Sequence, residues 1–130
     1  MKKFFMSLLF ISIILLLVSC NNDKSSVVFK GNGENWNGEL ITSYNLAGEE
    51  KQSIKISYIG DKPKELKETS LFIDSTDFLG WGIEEIELDE QGDFNSGEAF
   101  KLDSKTPTTS KILLKIEGDK PETLTLTSNY

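Results

Sequence analysis

No histidine and no arginine occur in the chain, and Cys20 is its only cysteine. The missing imidazole rules out sites of the Ser-His-Asp or Cys-His kind and removes the usual nitrogen ligand of zinc. The missing guanidinium removes the planar group that clamps a carboxylate or phosphate through two parallel hydrogen bonds. Positive charge rests on lysine alone, fourteen against twenty-one Asp and Glu, for a net charge of −7. A surface of that sign is a poor match for nucleic acid or anionic headgroups. No window keeps a 3.6-residue apolar period, so an α-helical core is not expected. The one long apolar run, Phe4 to Val18, has fifteen residues, short of the about 20 that cross a bilayer as a helix.

That run opens what the sequence does contain. Lys2 and Lys3 precede it, Ser7 and Ser12 interrupt it, Ser19 stands directly before Cys20, and Asn21, Asn22 and Asp23 follow. This is the three-part layout of a secretory signal. Leu17-Val18-Ser19-Cys20 resembles the lipobox of bacterial lipoprotein precursors. The resemblance implies that residues 1–19 are a signal peptide and that the Cys20 thiol takes a diacylglyceryl group through a thioether. It further implies that the protein is held in the lipid bilayer at the extracytoplasmic face of the cell membrane. Cys20 is then neither nucleophile, disulfide partner nor metal ligand. One acyl chain binds a membrane only marginally, at roughly 0.8 kcal/mol per buried methylene, so two chains on one sulfur turn a transient contact into a lasting anchor. Losing Lys2 and Lys3 leaves twelve lysines against twenty-one carboxylates, a balance of −9. An ordinary cleaved signal beside a free thiol is the alternative.

Residues 20–26 read as a lipidated tether, polar and free of large apolar groups, reaching about 20 Å at full extension. Residues 27–130 then read as one domain. Trp36, Gly38, Leu40, Thr42, Tyr44 and Leu46 share one parity with polar residues between them, the period-two mark of a half-buried strand. Ala47 to Glu50 reads as a turn, and Ile54, Ile56 and Tyr58 resume the alternation, predicting a hairpin over 36–59. Further short strands are expected at 83–88, 98–102, 111–116 and 123–127. Gly-Asp-Lys-Pro occurs twice, at Gly60 and at Gly118, and each copy reads as a strand, a tight turn and the start of another strand. About seven short antiparallel strands with Gly, Pro, Asn and Asp turns predict an all-β chain, an immunoglobulin-like β-sandwich, with a small β-barrel as the alternative. The expected core is Phe29, Trp36, Tyr44, Ile54, Ile56, Tyr58, Phe72, Ile86, Leu88, Leu114, Ile116, Leu124 and Leu126.

Three stretches invite a functional reading. In Phe29 to Glu39 the glycines fall as G-x-G-x-x-x-x-G with no Lys-Ser/Thr pair after them, which is not a phosphate loop; a strand, a turn and a second strand anchored by Trp36 fit better. Phe29 to Trp36 resembles the segment that opens the mature domain of small uncharacterised lipoproteins of Gram-positive bacteria, a resemblance that implies no activity. Glu84 to Asp93 concentrates six carboxylates, the oxygen-rich composition a calcium loop uses, yet equally the composition of a solvated turn. Phe78-Leu79-Gly80-Trp81-Gly82 sets an aromatic between two glycines, so Trp81 and Phe78 are candidates for contact with a ligand or partner, or else a plug at one end of the sandwich. No cofactor, metal or catalytic residue is expected. The composition favours a non-enzymatic binding or interaction module meeting a protein or cell-wall partner at the envelope. A small extracytoplasmic enzyme or enzyme inhibitor working through carboxylates is the alternative.

Overall fold

The computed structural model describes residues 25–129, so Cys20 and the signal segment lie outside the described residues. The strands are β1 (Ser26–Asn32), β2 (Trp36–Tyr44), β3 (Glu50–Tyr58), β4 (Thr69–Asp74), β5 (Trp81–Ile83), β6 (Asp93–Asn95), β7 (Phe100–Leu102), β8 (Ile112–Gly118) and β9 (Glu122–Leu126). One sheet has the order β1-β2-β3-β6, with β7 also paired to β3; the other has the order β5-β4-β8-β9. Every pairing is antiparallel. The chain is therefore an all-β sandwich, as the alternation and turn residues predict. The sheets touch along one edge, where Lys30 and Thr127 exchange backbone hydrogen bonds of 2.9 and 3.0 Å, and they do not close into a barrel.

β6 and β7 are one strand interrupted by a bulge. Lys55 pairs with Asn95 and Gln52 with Phe100, so residues 96–99 face only Ser53 and Ile54. Ser96 fills the gap, its N–H donating to Ile54 O at 3.0 Å while its Oγ accepts from Ile54 N at 2.9 Å. Extra residues of this kind bend a strand and disturb the regular ladder.

Because the strands alternate in direction, the sandwich has two distinct poles. The chain enters at Ser26, and the turn 45–49 and the loops 75–80 and 103–111 lie at that entry pole. The turns and loops 33–35, 59–68, 84–92 and 119–121 lie at the far pole. The chain passes between sheets three times, twice at the far pole (59–68 and 84–92) and once at the entry pole (103–111).

The alternation of β2 holds from Trp36 to Thr42, and Phe29, Leu40, Ile54, Ile73, Ile112, Leu114 and Leu126 are completely enclosed. Each large apolar side chain fully buried contributes about 1.5–3 kcal/mol. The glycines of the 29–39 segment serve close packing. A Cβ on Gly31 would strike the Thr125 backbone, and one on Gly33 the Glu122 carboxylate. That carboxylate caps the β1–β2 turn, accepting from Glu34 N at 2.6 Å and Asn35 N at 2.8 Å, while Trp36 Nε1 donates to Lys120 O at 2.8 Å.

Four expectations need correction. Phe72 is 43% exposed, because in the apolar run Leu71-Phe72-Ile73 the outer two residues take the inner face. Residues 84–88 are not strand. After the short β5 the chain turns away with Glu85 at φ 54, and Ile86 reaches the core from a loop whose N–H donates to Thr69 O at 2.8 Å. Glu50 belongs to β3 rather than to the preceding turn. The two Gly-Asp-Lys-Pro copies also differ. At Gly118 the motif makes the β8–β9 hairpin, with Gly118 at φ 128 against the Glu68 backbone, whereas at Gly60 it opens a crossover through a 3-10 turn at Pro63–Glu65, with Lys62 at φ 59.

Candidate functional site

Two regions hold the polar chemistry of the domain. The larger is a far-pole groove of about 1220 Å³ between the two crossovers, lined by residues 63–64, 66–70, 84–90 and 117–118. Seven carboxylates and two lysines line it. The groove follows from topology, since residues 59–68 pass from the first sheet to the second and 84–92 return beside them. The ends of the return loop are fixed to both sheets, Ile86 N donating to Thr69 O and Tyr58 N to Gly92 O, at 2.8 and 2.9 Å. Lys64 Nζ and Glu90 Oε1 lie 3.2 Å apart across its rim, both largely exposed, a pair worth little in solvent.

The carboxylates of 84–93 do not converge. Asp89 Oδ1 accepts the N–H groups of Gln91 and Asp93, each at 2.9 Å, and Asp89 N donates to Asp93 O at 2.9 Å. Asp89 is thus engaged in closing its own turn, the ordinary use of Asp in such a loop. No group of three or more His, Cys, Asp or Glu suited to a metal ion occurs among the described residues. The groove's field attracts cations diffusely.

The second region is a buried polar cluster near the entry pole. Glu50 and Gln52 are fully enclosed although polar, and Thr106 is 1% exposed. Glu50 Oε1 accepts from Thr106 N at 2.9 Å; its Oε2 accepts from Thr106 Oγ1 at 2.6 Å and Gln52 Nε2 at 2.9 Å. Gln52 Oε1 in turn accepts from Trp81 Nε1 at 2.8 Å. Thr42 Oγ1 lies 3.1 Å from the Tyr44 hydroxyl, and Lys105 Nζ sits 4.7 Å from the centroid of the Tyr44 ring. Burial pushes the Tyr44 phenol up to about 12, the Thr42 bond working against the shift and the Glu50 carboxylate adding to it. Buried polar atoms are costly when unpaired, and none of the buried side-chain oxygens or nitrogens among the described residues lacks a partner. The cluster fastens the 103–111 crossover to β3. Glu50 and Gln52 share the parity of Ile54 and Ile56, the one sequence signal that sets them on the inner face of β3.

The sequence offers Trp81 as a contact with a ligand or partner. Its ring lies inside, 8% exposed, stacked on Phe100 with centroids 5.7 Å apart and its N–H held by Gln52. The intact fold therefore gives that ring no face to offer. Phe78 packs partly against the core, and the residue of this segment that projects is Leu79, at 78% exposure. A Cβ on Gly80 would strike the Phe72 ring and the Ile73 carbonyl, and one on Gly82 the Leu71 carbonyl, with the Phe72 ring beside it. Comparison with protein-family models, with curated proteins and with solved structures finds no match to this chain.

Proposed function

We propose that the chain is a membrane-anchored extracytoplasmic lipoprotein whose β-sandwich is a non-enzymatic binding or interaction module at the cell envelope. The observation that carries this reading is Leu17-Val18-Ser19-Cys20 at the end of the only long apolar run, five residues before β1 begins at Ser26. A diacylglyceryl group at Cys20 fixes the chain to the bilayer, and the short tether holds the sandwich at the outer surface of that membrane. The module meets a protein or cell-wall partner there. In support, the polar side chains in the interior are committed to one another, Glu50 to Thr106 and Gln52, and Gln52 to Trp81. They position a crossover rather than face a cleft.

The test is processing and fractionation. Wild-type chain should incorporate labelled fatty acid and sediment with membranes. Cys20→Ala should take no label and keep residues 1–19 uncleaved, and acyl label retained by Cys20→Ala contradicts the proposal. Cross-linking in intact envelopes followed by recovery of the lipidated protein then identifies the partner.

A further inference from the structure

Charge is divided between the poles with little overlap. The far-pole loops 33–35, 59–68, 84–92 and 119–121 hold ten carboxylates and four lysines, and the adjoining strand ends add Asp93, Glu117 and Glu122, for a balance of −9. The rest of the described chain holds seven of each and is neutral. The two most exposed large apolar side chains among the described residues are at the opposite end: Leu46 at 99%, in the β2–β3 turn, and Leu79 at 78%, in the β4–β5 loop. Both turns belong to the entry pole, because Asp74 and Tyr44 end strands that run toward it. Ser25 O accepts from Tyr44 N at 3.2 Å, so the chain leaves the fold beside the Leu46 turn.

We propose that the entry pole is a bilayer-docking surface, with Leu46 and Leu79 entering the interfacial layer of the membrane and the acidic far pole held outward. The inference rests on the lipid anchor at Cys20 proposed above. Six residues from Cys20 to Ser26 span at most about 20 Å, so the pole that carries Ser26 is confined near the bilayer. β2 and β3 have nine residues each, about 30 Å at the rise of a strand. Upright, the −9 pole therefore stands several Debye lengths, each about 8 Å at physiological salt, from an anionic leaflet. An inverted domain would press that charge against the headgroups, and a domain on its side would bring part of it within screening range. The entry-pole loops 45–49, 75–80 and 103–111 hold three carboxylates and two lysines and meet far less repulsion, and leucine at a loop tip is suited to the boundary of headgroups and acyl chains. Exposure of Leu46 and Leu79 thus has a physical use that the isolated domain does not give it.

The experiment uses the full lipidated protein in vesicles containing about one-third anionic lipid, a composition chosen to set up the surface potential. With Cys20 acylated, an introduced cysteine is the only thiol, and Leu46→Cys, Leu79→Cys and Glu85→Cys each take one environment-sensitive fluorophore. All three sites are exposed, so the substitutions leave the core intact, which thermal unfolding of each variant confirms. Flotation reports the anchor, and quenching by headgroup-labelled nitroxide lipid reports the orientation. The expected result is flotation of all three, with quenching at positions 46 and 79 several-fold stronger than at 85. Floating protein with equal quenching at all three positions overturns the docking and leaves the anchor standing. Protein that stays at the bottom of the gradient overturns the anchor and the docking with it.

Discussion

At the entry pole a buried carboxylate is boxed in by three donors, the loops carry three carboxylates and two lysines, and two leucines project from turns. At the far pole ten carboxylates crowd the loops and three more stand on the adjoining strand ends, where Lys62, Glu85, Gly92 and Gly118 all take positive φ. The same strands supply both ends, so the contrast comes from the connections. The far pole has two crossovers between sheets and must expose two long loops, whereas the single entry-pole crossover is pinned through Thr106 to Glu50, through Ser110 to Asp77 and through Thr108 to Ser128. Long solvated loops tolerate charge and unusual backbone. A crossover pinned by buried hydrogen bonds does not.

The largest effects should come from cutting each pole's anchor in the soluble fragment from Ser25. Trp36 is buried at the far pole, tied to Lys120 O and packed 5.1 Å from the Tyr58 ring, and Trp36→Ala should cost about 3–5 kcal/mol in denaturant unfolding. Glu50→Ala strands the Thr106 N–H and the Gln52 amide at the entry pole and should cost about 3 kcal/mol, against about 1 for Glu50→Gln, which keeps one acceptor. Equal costs for these two would mean that both carboxylate oxygens are needed, and a Glu50→Gln without cost would mean that volume rather than hydrogen bonding holds the crossover. Gly118→Ala, at φ 128 with its Cβ directed at the Glu68 backbone, should cost about 1–3 kcal/mol.

Smaller effects separate the poles by chemistry. The Tyr44 phenol, with an ordinary value of 10.0, is raised to about 12 in the fold. The fold therefore favours the neutral phenol, and this contribution is complete below pH 10 and lost as pH rises through about 12. Tyr44→Phe should remove that part of the alkaline decline in melting temperature. At the far pole, millimolar calcium should raise the melting temperature no more than magnesium does. A dedicated site would add about 2.7 kcal/mol at a hundredfold excess over Kd, and a calcium-only shift abolished by Asp89→Asn would make the loop a metal site. Smallest of all, Leu46→Ser and Leu79→Ser should change the stability of the soluble domain by less than about 0.5 kcal/mol.

How much of this was legible in the sequence varied with the strength of the local pattern. β2, β3, β8 and β9 alternate cleanly and were readable, as was the role of Trp36 as an anchor. β4 was not, because Leu71-Phe72-Ile73 is apolar at three successive positions and has no parity of its own; only pairing of Phe72 with Lys115 and Gly82 sets its face. The acidic run read as strand because Ile86 and Leu88 are spaced for one, while the left-handed turn at Glu85 that breaks it follows from packing against Thr69. Gly-Asp-Lys-Pro shows the limit most plainly. Copies with the same four residues end in a hairpin and in a crossover, and what differs is whether the next strand pairs within the sheet. The inward ring of Trp81 depended on Gln52, twenty-nine residues earlier, having a free carbonyl to give it.

The most direct measurement is the intact mass and N-terminal peptide of the protein recovered from the cells that produce it. The expected chain begins at Cys20, with the sulfur carrying two acyl chains on glycerol and residues 1–19 absent. A chain with an unmodified Cys20, or one beginning elsewhere, would contradict the lipid anchor.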